Sequence, residues 1–392
     1  MLPGDIKRKI IMKAKSIQER SPEEIQSAIQ QAIEPGFQPT LAIVFISMSQ
    51  DRNAVCKMLD DLGIAIYGVT THGEFIDEEL GKQSTVILLL DINPSYFRIL
   101  FDEFREKNYR ETAKELARQA KEQIEHPAFL IAASHMETDG EQLLFGFEDV
   151  IGKQVNVFGG MAGDDYAFNE QFVFTNNKSS SRGIVALALD EDKITIRGIA
   201  TCGWKAVGTE KIVTKSIGNH VFTVDNVPVL DITAKYGGLT NIEEESTAVS
   251  LAMEIATNFP LQLQREVGDP VMRPGLLIKW DDHSFVCSGS VPQGSKVRFS
   301  LPPDFDVMEK VIKGVQELKS GGMPEADAVI VFSCAGRILA LGPMMNMEIE
   351  GVRKVWDAPM VGMFSNAELA RATGGNLEMH NLTTCCVVLK EK

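Results

Sequence analysis

Residues 155–165 read Val-Asn-Val-Phe-Gly-Gly-Met-Ala-Gly-Asp-Asp, a short apolar run that ends in a turn of small and acidic residues. Two other segments have the same form: 64–74, Ile-Ala-Ile-Tyr-Gly-Val-Thr-Thr-His-Gly-Glu, and 358–368, Ala-Pro-Met-Val-Gly-Met-Phe-Ser-Asn-Ala-Glu. Short apolar runs bounded by Gly, Asp or Ser are typical of strands that are buried on both faces. The three segments therefore predict three buried strands, each followed by a turn.

Each of these strands has an apolar run before it and another after it. The flanking runs are 40–47 and 84–91, 128–134 and 182–190, and 328–337 and 383–389. Helical periodicity fills residues 51–62 and 141–151, and these segments end at Gly63 and Gly152. Glycine is the residue best suited to a left-handed helix end. The chain thus contains a strand-helix-strand-strand unit three times.

A strand and an amphipathic helix precede two of the copies, at 96–101 with 110–124 and at 295–301 with 307–318. A duplicated ancestry explains this repetition, and chance recurrence in an α/β chain is the alternative. Between the copies, residues 193–224 alternate apolar and polar side chains, which predicts antiparallel strands. Residues 228–236 and 242–257 have helical patterns, and Ser21-Pro22-Glu23-Glu24 is a typical helix start.

These patterns predict a mixed α/β (α+β) fold of two lobes, built from repeated units whose mixed sheets are covered by helices. A lobe boundary is expected near Asp225 or Asn226, where strand-like sequence gives way to helical sequence. The predicted divisions are an N-terminal helical segment, 1–38, a first domain, 39–225, and a second domain, 226–392.

Composition narrows the function classes. The chain has 392 residues, 44% hydrophobic and 24% charged, and this balance is that of a folded protein. Its net charge of −15 opposes nucleic-acid binding, because a phosphate backbone would be repelled. The densest basic run, 7–9 with Lys13 and Lys15, is interpreted as a solvated helix, with a nucleic-acid arm as the alternative.

The sequence contains only weak signals for secretion, membrane insertion or metal binding. No secretory signal is expected at the N-terminus, and the apolar window 84–92 is strand-sized, far shorter than a membrane span. Six cysteines without a C-x-x-C motif favour a reducing cytoplasm. The six histidines are scattered, and Cys385 and Cys386 would point to opposite faces of a strand. No metal site and no cofactor are therefore predicted.

Three motifs, taken in order, resemble those of the FIST domains. They are Phe158-Gly-Gly-Met-Ala-Gly-Asp-Asp165, Phe332-Ser-Cys-Ala-Gly-Arg337 and Met379-His-Asn-Leu-Thr-Thr384, and the resemblance extends over residues 39–389. The first turn resembles the family pattern G-C-S/T-x-G-E, with Val69 at the cysteine position. The last turn resembles G-F/Y-S-x-G-E, with Ala367 in place of the second glycine.

The resemblance implies an FIST N-type domain at 39–225 and an FIST C-type domain at 226–392. It further implies a bacterial or archaeal input domain for signal transduction that binds a small molecule, with amino acids among the candidates. The chain contains no kinase, methyl-accepting or cyclase segment. A separate output protein of the kinase, chemoreceptor or cyclase class is therefore expected as the partner.

The glycine-rich turn offers one candidate binding element. Gly159 and Gly160 would let a ligand carboxylate or phosphate approach backbone amides, although a purely structural turn has the same sequence. Asp164 and Asp165 either hold an ammonium group or cap the following segment.

Arg337 follows the apolar run 328–335 and is expected at a strand end, where α/β ligand clefts form. There its planar guanidinium would bind a ligand carboxylate with two hydrogen bonds. The alternative is a structural ion pair with Glu348 or Glu368.

Cys334, His380 and Asn381 together suggest a cysteine nucleophile. Cys334 also continues a buried strand, however, and buried cysteines usually behave as small inert hydrophobes. The first and last turns supply the other candidate ligand contacts, with an exposed turn position as the alternative for His72. These contacts are Thr70, Thr71, His72, Glu74, Ser365 and Glu368.

Taken together, the sequence favours a cytoplasmic sensory protein without catalytic residues that binds a small polar ligand, such as an amino acid or related carboxylate. A hydrolase or transferase using Cys334 and an interaction scaffold without a ligand are the alternatives.

Overall fold

The computed structural model describes residues 12–77, 79–106, 108–239 and 248–392, with the backbone alone for 248–250. The basic run 7–9 and the first part of the helix predicted at 242–257 lie outside the described residues.

Residues 13–91 form unit 1. In this unit β6 lies between β1 and β2 and is antiparallel to both, while β2 runs parallel to β3. The elements are β1 (Lys13–Glu19), α1 (Pro22–Ala32), β2 (Leu41–Ile46), α2 (Arg52–Asp61), β3 (Ala65–Thr70), β4 (Glu74–Ile76), β5 (Glu79–Leu80) and β6 (Thr85–Asp91).

Residues 97–190 form unit 2, which has the same strand order. Here β12 lies between β7 and β8 and is antiparallel to both, and β8 runs parallel to β9. The elements are β7 (Phe97–Glu103), α3 (Tyr109–Lys121), β8 (Pro127–Ala133), α4 (Gly140–Ile151), β9 (Val157–Met161), β10 (Val173–Phe174), β11 (Ser179–Ser180) and β12 (Gly183–Asp190).

Unit 3 begins with β13 (Ile194–Thr201), after which residues 206–300 form a separate antiparallel sheet, here called the insertion. The first and last residues of the insertion, Ala206 and Ser300, pair with each other. Its elements are β14 (Ala206–Ile217), β15 (His220–Val224), β16 (Val227–Pro228), α5 (Val229–Gly237), α6 (Ala248–Asn258), β17 (Leu261–Leu263), β18 (Val271–Arg273), β19 (Gly275–Lys279), β20 (Ser284–Cys287) and β21 (Lys296–Ser300).

Unit 3 then resumes and repeats the strand order of the first two units. β26 lies antiparallel between β13 and β22, and β22 runs parallel to β23. The remaining elements are α7 (Phe305–Gly322), β22 (Ala328–Cys334), α8 (Ala335–Leu341), α9 (Met344–Arg353), β23 (Met360–Ser365), β24 (Glu368–Arg371), β25 (Leu377–His380) and β26 (Thr384–Glu391).

The three units exchange hairpins in a cycle. After β3, β9 or β23, each unit sends a hairpin to the neighbouring sheet. β4 of unit 1 pairs with β23 of unit 3, β10 of unit 2 pairs with β3 of unit 1, and β24 of unit 3 pairs with β9 of unit 2. The mixed α+β class and the thrice-repeated unit predicted from the sequence are confirmed by this topology.

A common core lies between the three sheets, and the helices cover their outer faces. Alternate residues of β2 show the division, because Leu41, Ile43 and Phe45 belong to the shared core while Ala42 and Val44 pack beneath helices α1 and α2. β8 of unit 2 and β22 of unit 3 divide in the same way. Burial on both faces accounts for the continuous apolar runs, and each fully buried large side chain contributes roughly 1.5–3 kcal/mol.

Three expectations need correction. Residues 13–19 form an edge strand instead of a helix, because β6 offers them a full set of backbone partners. The strand at 295–301 is β21 of the insertion, and the edge strand of unit 3 is β13. The strand at 328–337 ends at Cys334, and α8 begins at Ala335.

Candidate functional site

The turns that follow β3, β9 and β23 meet at one place. The amide of Gly163 in unit 2 donates to the Thr70 carbonyl oxygen of unit 1 at 2.8 Å, and the amide of His72 donates to Phe364 of unit 3 at 3.0 Å. The amide of Asn366 completes the circle by donating to the Met161 carbonyl oxygen of unit 2 at 3.1 Å. The turns of all three units therefore lie against one another.

A cavity of about 190 Å³ lies beside these turns, between the three units and the insertion. Among its lining residues in the described chain there is no Lys, Arg, Asp or Glu. Unit 1 contributes His72, unit 2 contributes His135, Met136, Thr138, Met161, Ala162, Tyr166 and Phe168, unit 3 contributes Cys334, Ala335, Gly336, Leu339, Ser365, Asn366, Ala367, Met379, Asn381 and Leu382, and the insertion contributes Met253, Ala256, Thr257, Pro274, Leu276 and Ser288.

His72 holds the three turns together. Its Nδ1 accepts a hydrogen bond from the amide of Tyr166 at 2.9 Å, so the proton is assigned to Nε2, which donates to Asn366 Oδ1 at 2.7 Å. The imidazole also stacks on the Tyr166 ring, with 4.6 Å between centroids. Burial lowers the pKa of His72, although the bond to Asn366 opposes this shift. The residue is 5% exposed, so it is not the solvent-exposed turn residue that was considered as the alternative.

His72 and Asn366 occupy equivalent positions in the repeated turns. Thr71-His72-Gly73-Glu74 of unit 1 corresponds to Ser365-Asn366-Ala367-Glu368 of unit 3. In both turns a hydroxyl group donates to the glutamate three residues later, at 2.7 Å. Aligning the two turns therefore predicts a role for Asn366, which was absent from the residues chosen from the sequence.

Four of the predicted contact residues line the cavity: His72, Cys334, Ser365 and Asn381. The other ten do not. They are Thr70, Thr71, Glu74, Gly159, Gly160, Asp164, Asp165, Arg337, Glu368 and His380.

The two glutamates hold the exchanged hairpins. Glu74 accepts from the amide and the hydroxyl of Ser84, at 2.8 and 2.6 Å, in addition to Thr71. Glu368 accepts from Ser365 and from the amide of Thr383, at 2.7 and 3.3 Å. Burial raises the pKa of both carboxyl groups. Both side chains are fully buried, so their role is in the hairpins and not in the cavity wall.

The glycines and aspartates of the unit 2 turn are also structural. A Cβ atom on Gly159 would lie 1.8 Å from the carbonyl oxygen of Ile131, so only glycine fits against β8. A Cβ on Gly160 would lie 3.0 Å from Phe332 and Ser365.

The carboxylates of this turn are occupied as well. Asp164 accepts from the amides of Phe168 and Asn169, at 3.0 and 2.6 Å, and Asp165 accepts from Ser47 Oγ at 2.7 Å. Thr70 likewise accepts from the amide of Phe172 at 2.8 Å. These groups order the turn itself.

Arg337 does not reach the cavity. The run 328–335 continues into helix α8, and the first turn of that helix rotates the guanidinium into the protein, where it pairs with Glu348. It also donates to the carbonyl oxygens of Cys202 and Leu382, at 2.8 and 2.9 Å. The structural ion pair with Glu348, one of the two alternatives considered for Arg337, is the observed arrangement.

Cys334 lines the cavity, whereas His380, the base expected beside it, does not. Burial raises the pKa of its thiol to about 12. The His380 imidazole, whose pKa burial lowers to about 4, is hydrogen-bonded to the carbonyl oxygen of Ala370 at 3.1 Å. An activated cysteine requires a lowered thiol pKa and a nearby base. The raised pKa of the Cys334 thiol is the opposite of the first requirement, and the imidazole expected to act as the base is bonded to Ala370 instead.

The cavity mouth is apolar. Phe168 is 59% exposed at the rim, and four other large apolar side chains that line the cavity are exposed as well. They are Met136, Met253, Leu276 and Leu339. Exposed apolar side chains gathered in one place mark binding surfaces more often than chance.

One group of potential metal ligands lies elsewhere. Glu125, His126 and Asp192 bring their ligand atoms within 4.8 Å of one another at the surface. His126 and Asp192 form an exposed pair at 3.0 Å. An exposed acidic group of this kind does not by itself define a metal site.

Comparison with protein-family models assigns the chain. The FIST N domain matches residues 40–227, and the FIST C domain matches residues 232–371. The chain belongs to the FIST family. FIST domains are a sensory family of signal transduction. A search of the curated proteins gives no match to this FIST protein. Within the described part of the chain, no helix has the length and apolar character needed to cross a membrane.

Proposed function

We propose that this FIST protein is a cytoplasmic sensor that binds a small, uncharged and largely apolar molecule in the cavity between the three units and the insertion. Binding is passed to a separate output protein. The observation that carries the proposal is the cavity wall, which is mainly apolar and whose described residues include no charged side chain. Binding pockets of this kind bury an apolar ligand and orient it with a few polar groups.

An amino acid or another carboxylate fits this wall poorly. A charged group loses its hydration on entering an apolar cavity and must gain a counter-charge or several hydrogen bonds there. Arg337, the residue expected to bind a carboxylate, is occupied by Glu348 and two carbonyl oxygens. The ligand class is therefore revised from a small polar molecule to a small uncharged one.

The insertion offers a way for ligand binding to be passed to the output protein. The cavity wall combines residues of the insertion with residues of all three units, so a bound molecule contacts both bodies. Among the described residues, two ion pairs join them: Arg273 to Glu141 at 2.6 Å and Arg265 to Glu378 at 2.7 Å. A ligand that favours one position of the insertion would shift the population of that position, which an output protein can read. All six cysteines are free thiols, which supports a reducing cytoplasm.

Neutral and charged small molecules, added to the wild-type protein and to a variant with a blocked cavity, test this proposal. Benzofuran and toluene should raise the melting temperature of the wild-type protein by mass action, while glutamate and alanine should not. Ala256→Phe places a ring inside the cavity and should abolish the increase. Glu254→Phe adds the same ring at an exposed position of the same helix and should leave the increase intact.

The opposite pattern would contradict the proposal. A melting temperature that rises with glutamate or alanine, and stays unchanged with both neutral probes, would show that the cavity does not select uncharged molecules. Equal responses of Ala256→Phe and wild type would place binding outside the cavity.

A further inference from the structure

Two buried polar atoms on the cavity wall have no hydrogen-bond partner among the described residues. They are Asn381 Oδ1 and Ser288 Oγ, on a carboxamide that is 1% exposed and a hydroxyl group of the insertion. Other polar side chains of the wall are occupied. Those with protein partners include His72, Asn366, Ser365, Thr138 and Thr257.

Asn381 is held in position by two fully buried arginines. Arg273 donates to the carbonyl oxygen of Met379 at 3.1 Å and to that of Ser290 at 3.0 Å, which brings the segment of Asn381 beside the segment of Ser288. Arg337 donates to the carbonyl oxygen of Leu382 on the other side of Asn381. Leu382 has a left-handed backbone, with φ of 52°, which non-glycine residues adopt rarely and at a cost in stability. The fold therefore stabilises an unusual turn that presents a carboxamide with an unpaired oxygen at the cavity.

The remainder of the wall is suited to an aromatic molecule. Methionine sulfur atoms make favourable contacts with aromatic rings. The rings of Tyr166 and Phe168 add aromatic surface. Four methionines line the same cavity: Met136, Met161, Met253 and Met379.

Cavity size limits the molecule to one small ring system. An apolar cavity of about 150 Å³ admits benzene. This cavity, at about 190 Å³, is moderately larger. A bicyclic molecule of about nine non-hydrogen atoms is on that scale.

We propose that Asn381 Oδ1 accepts a hydrogen bond from an N–H or O–H group of the ligand, and that the ligand is an uncharged aromatic molecule of the indole or phenol class. This inference rests on the proposed function, because it names the ligand class of the same cavity. An amide oxygen only accepts hydrogen bonds, so the complementary group on the ligand is a donor. Ser288 Oγ, which both donates and accepts, tolerates either kind of group beside it.

The test compares molecules that differ in the donor alone. Isothermal titration of indole, 1-methylindole and benzofuran should give the wild-type protein a preference of roughly tenfold for indole over benzofuran, the size expected when one buried hydrogen bond is lost. Asn381→Leu keeps the approximate volume and removes the acceptor, so its preference should fall to about twofold or less. Asn376→Leu, at an exposed position of the same hairpin, should retain the wild-type preference.

Each result has a distinct meaning. Benzofuran that binds as tightly as indole to the wild-type protein overturns the donor inference and leaves the proposed function standing. An unchanged indole preference in folded Asn381→Leu overturns the role of Asn381. A failure of all three probes to bind overturns the proposed function together with the inference. The comparison of indole with 1-methylindole on the wild-type protein decides the donor question even when Asn381→Leu does not fold.

Discussion

Arg337 and Glu348 form an ion pair in which neither side chain has exposed surface. Glu348 also accepts a hydrogen bond from Thr384 Oγ1 at 2.7 Å, so the pair joins α8, α9 and β26. Charges that are removed from water are costly unless each is paired and hydrogen-bonded. The pair is therefore a point at which single substitutions have large effects.

We expect Arg337→Met to lower the free energy of unfolding by about 3–5 kcal/mol, because it leaves the Glu348 carboxylate buried without its partner. Urea unfolding measures the change. Arg110→Met, which breaks an exposed pair with Asp149, should lower the free energy of unfolding far less, because water already solvates both charges. Arg337→Met combined with Glu348→Leu should recover part of the loss. A loss below about 1 kcal/mol in Arg337→Met alone would contradict this account.

His380 should make the protein less stable in acid. An unfolded histidine has a pKa near 6.5, whereas burial lowers the pKa of His380 to about 4 in the folded protein. Between these values the unfolded chain binds the extra proton, so stability is full above pH 6.5 and falls as the pH drops towards 4. The expected loss is on the order of 3 kcal/mol at pH 4.

His380→Gln tests this linkage because glutamine does not titrate and still offers a donor for the Ala370 carbonyl oxygen. The difference in unfolding free energy between pH 7 and pH 4.5 should be smaller in His380→Gln than in wild type. His126→Gln is the control: the bond to Asp192 raises the pKa of exposed His126, so its contribution has the opposite sign. An identical pH dependence in His380→Gln and wild type would refute the assignment.

Residue patterns in the sequence indicated which side chains are candidates for the site, but not the direction in which those side chains point. β22 ends at Cys334 and α8 begins at Ala335, yet the mainly apolar run 328–335 continues across this boundary. The apolar pattern was therefore compatible with a longer strand, which would have placed Arg337 at the cleft. Helical rotation directs it towards Glu348 instead. Asn381 was chosen together with Cys334 and His380 as a candidate Cys-His-Asn set, and of these three Cys334 and Asn381 line the cavity.

At the level of elements, the three exchanged hairpins determine how the units fit together. Hairpin β4–β5 leaves unit 1 and pairs with β23, and the fully buried Glu74 at its start accepts hydrogen bonds from Thr71 and Ser84. Three donors converge on this carboxylate. Its removal would leave those donors buried without an acceptor.

Glu74→Ala should lower the free energy of unfolding by about 2–4 kcal/mol, since each unsatisfied buried donor costs about 1–3 kcal/mol and the cavity admits some relaxation. Hydrogen exchange should accelerate for amides of β4 and β23 more than for those of β8. Glu79→Ala, at an exposed position of the same hairpin, should change stability by less than about 0.5 kcal/mol. Equal effects of the two substitutions would show that Glu74 does not hold the hairpin.

Strand existence was predictable from the sequence, but strand partners were not. The alternation in 295–301 correctly indicated a strand, yet β21 pairs with β14 and β17 of the insertion. The edge strand of unit 3, β13, lies about a hundred residues before α7 in the chain. A two-residue period reports burial on one face and carries no information on which strand lies alongside. The short exchanged strands β4, β10 and β24 gave no separate signal for the same reason.

At the scale of the whole molecule, the parts defined by the sheets differ from the two domains defined by order along the chain. The two FIST domain matches meet at residues 227–232, inside the insertion. The three units, in contrast, share one core and each other's hairpins. The insertion leaves and re-enters unit 3 at neighbouring positions, because the amide of Leu301 donates to the carbonyl oxygen of Lys205 at 2.9 Å. The insertion is therefore the part whose removal disturbs the fewest strand pairs.

This division predicts the behaviour of two shortened chains. Residues 1–225 alone should not melt cooperatively, because β13 loses β26, β9 loses β24 and the shared core loses the face of unit 3. A chain in which a short Gly-Ser linker replaces residues 206–300 should fold and melt cooperatively. Its melting temperature should be lower than that of the full chain, because the bond from Trp204 to Thr257 and those of Arg273 are lost.

Circular dichroism melts of the two shortened chains and of the full protein show whether the protein folds as three units with an insertion or as two successive domains. The excised chain should also bind the dye ANS, since the apolar cavity wall loses its cover from the insertion, and it should lose the thermal response to benzofuran. A cooperative, native-like melt of residues 1–225 would mean that hairpin exchange contributes little to the stability of units 1 and 2. Failure of the excised chain to fold would show that the insertion is required by the core and does more than cover the cavity.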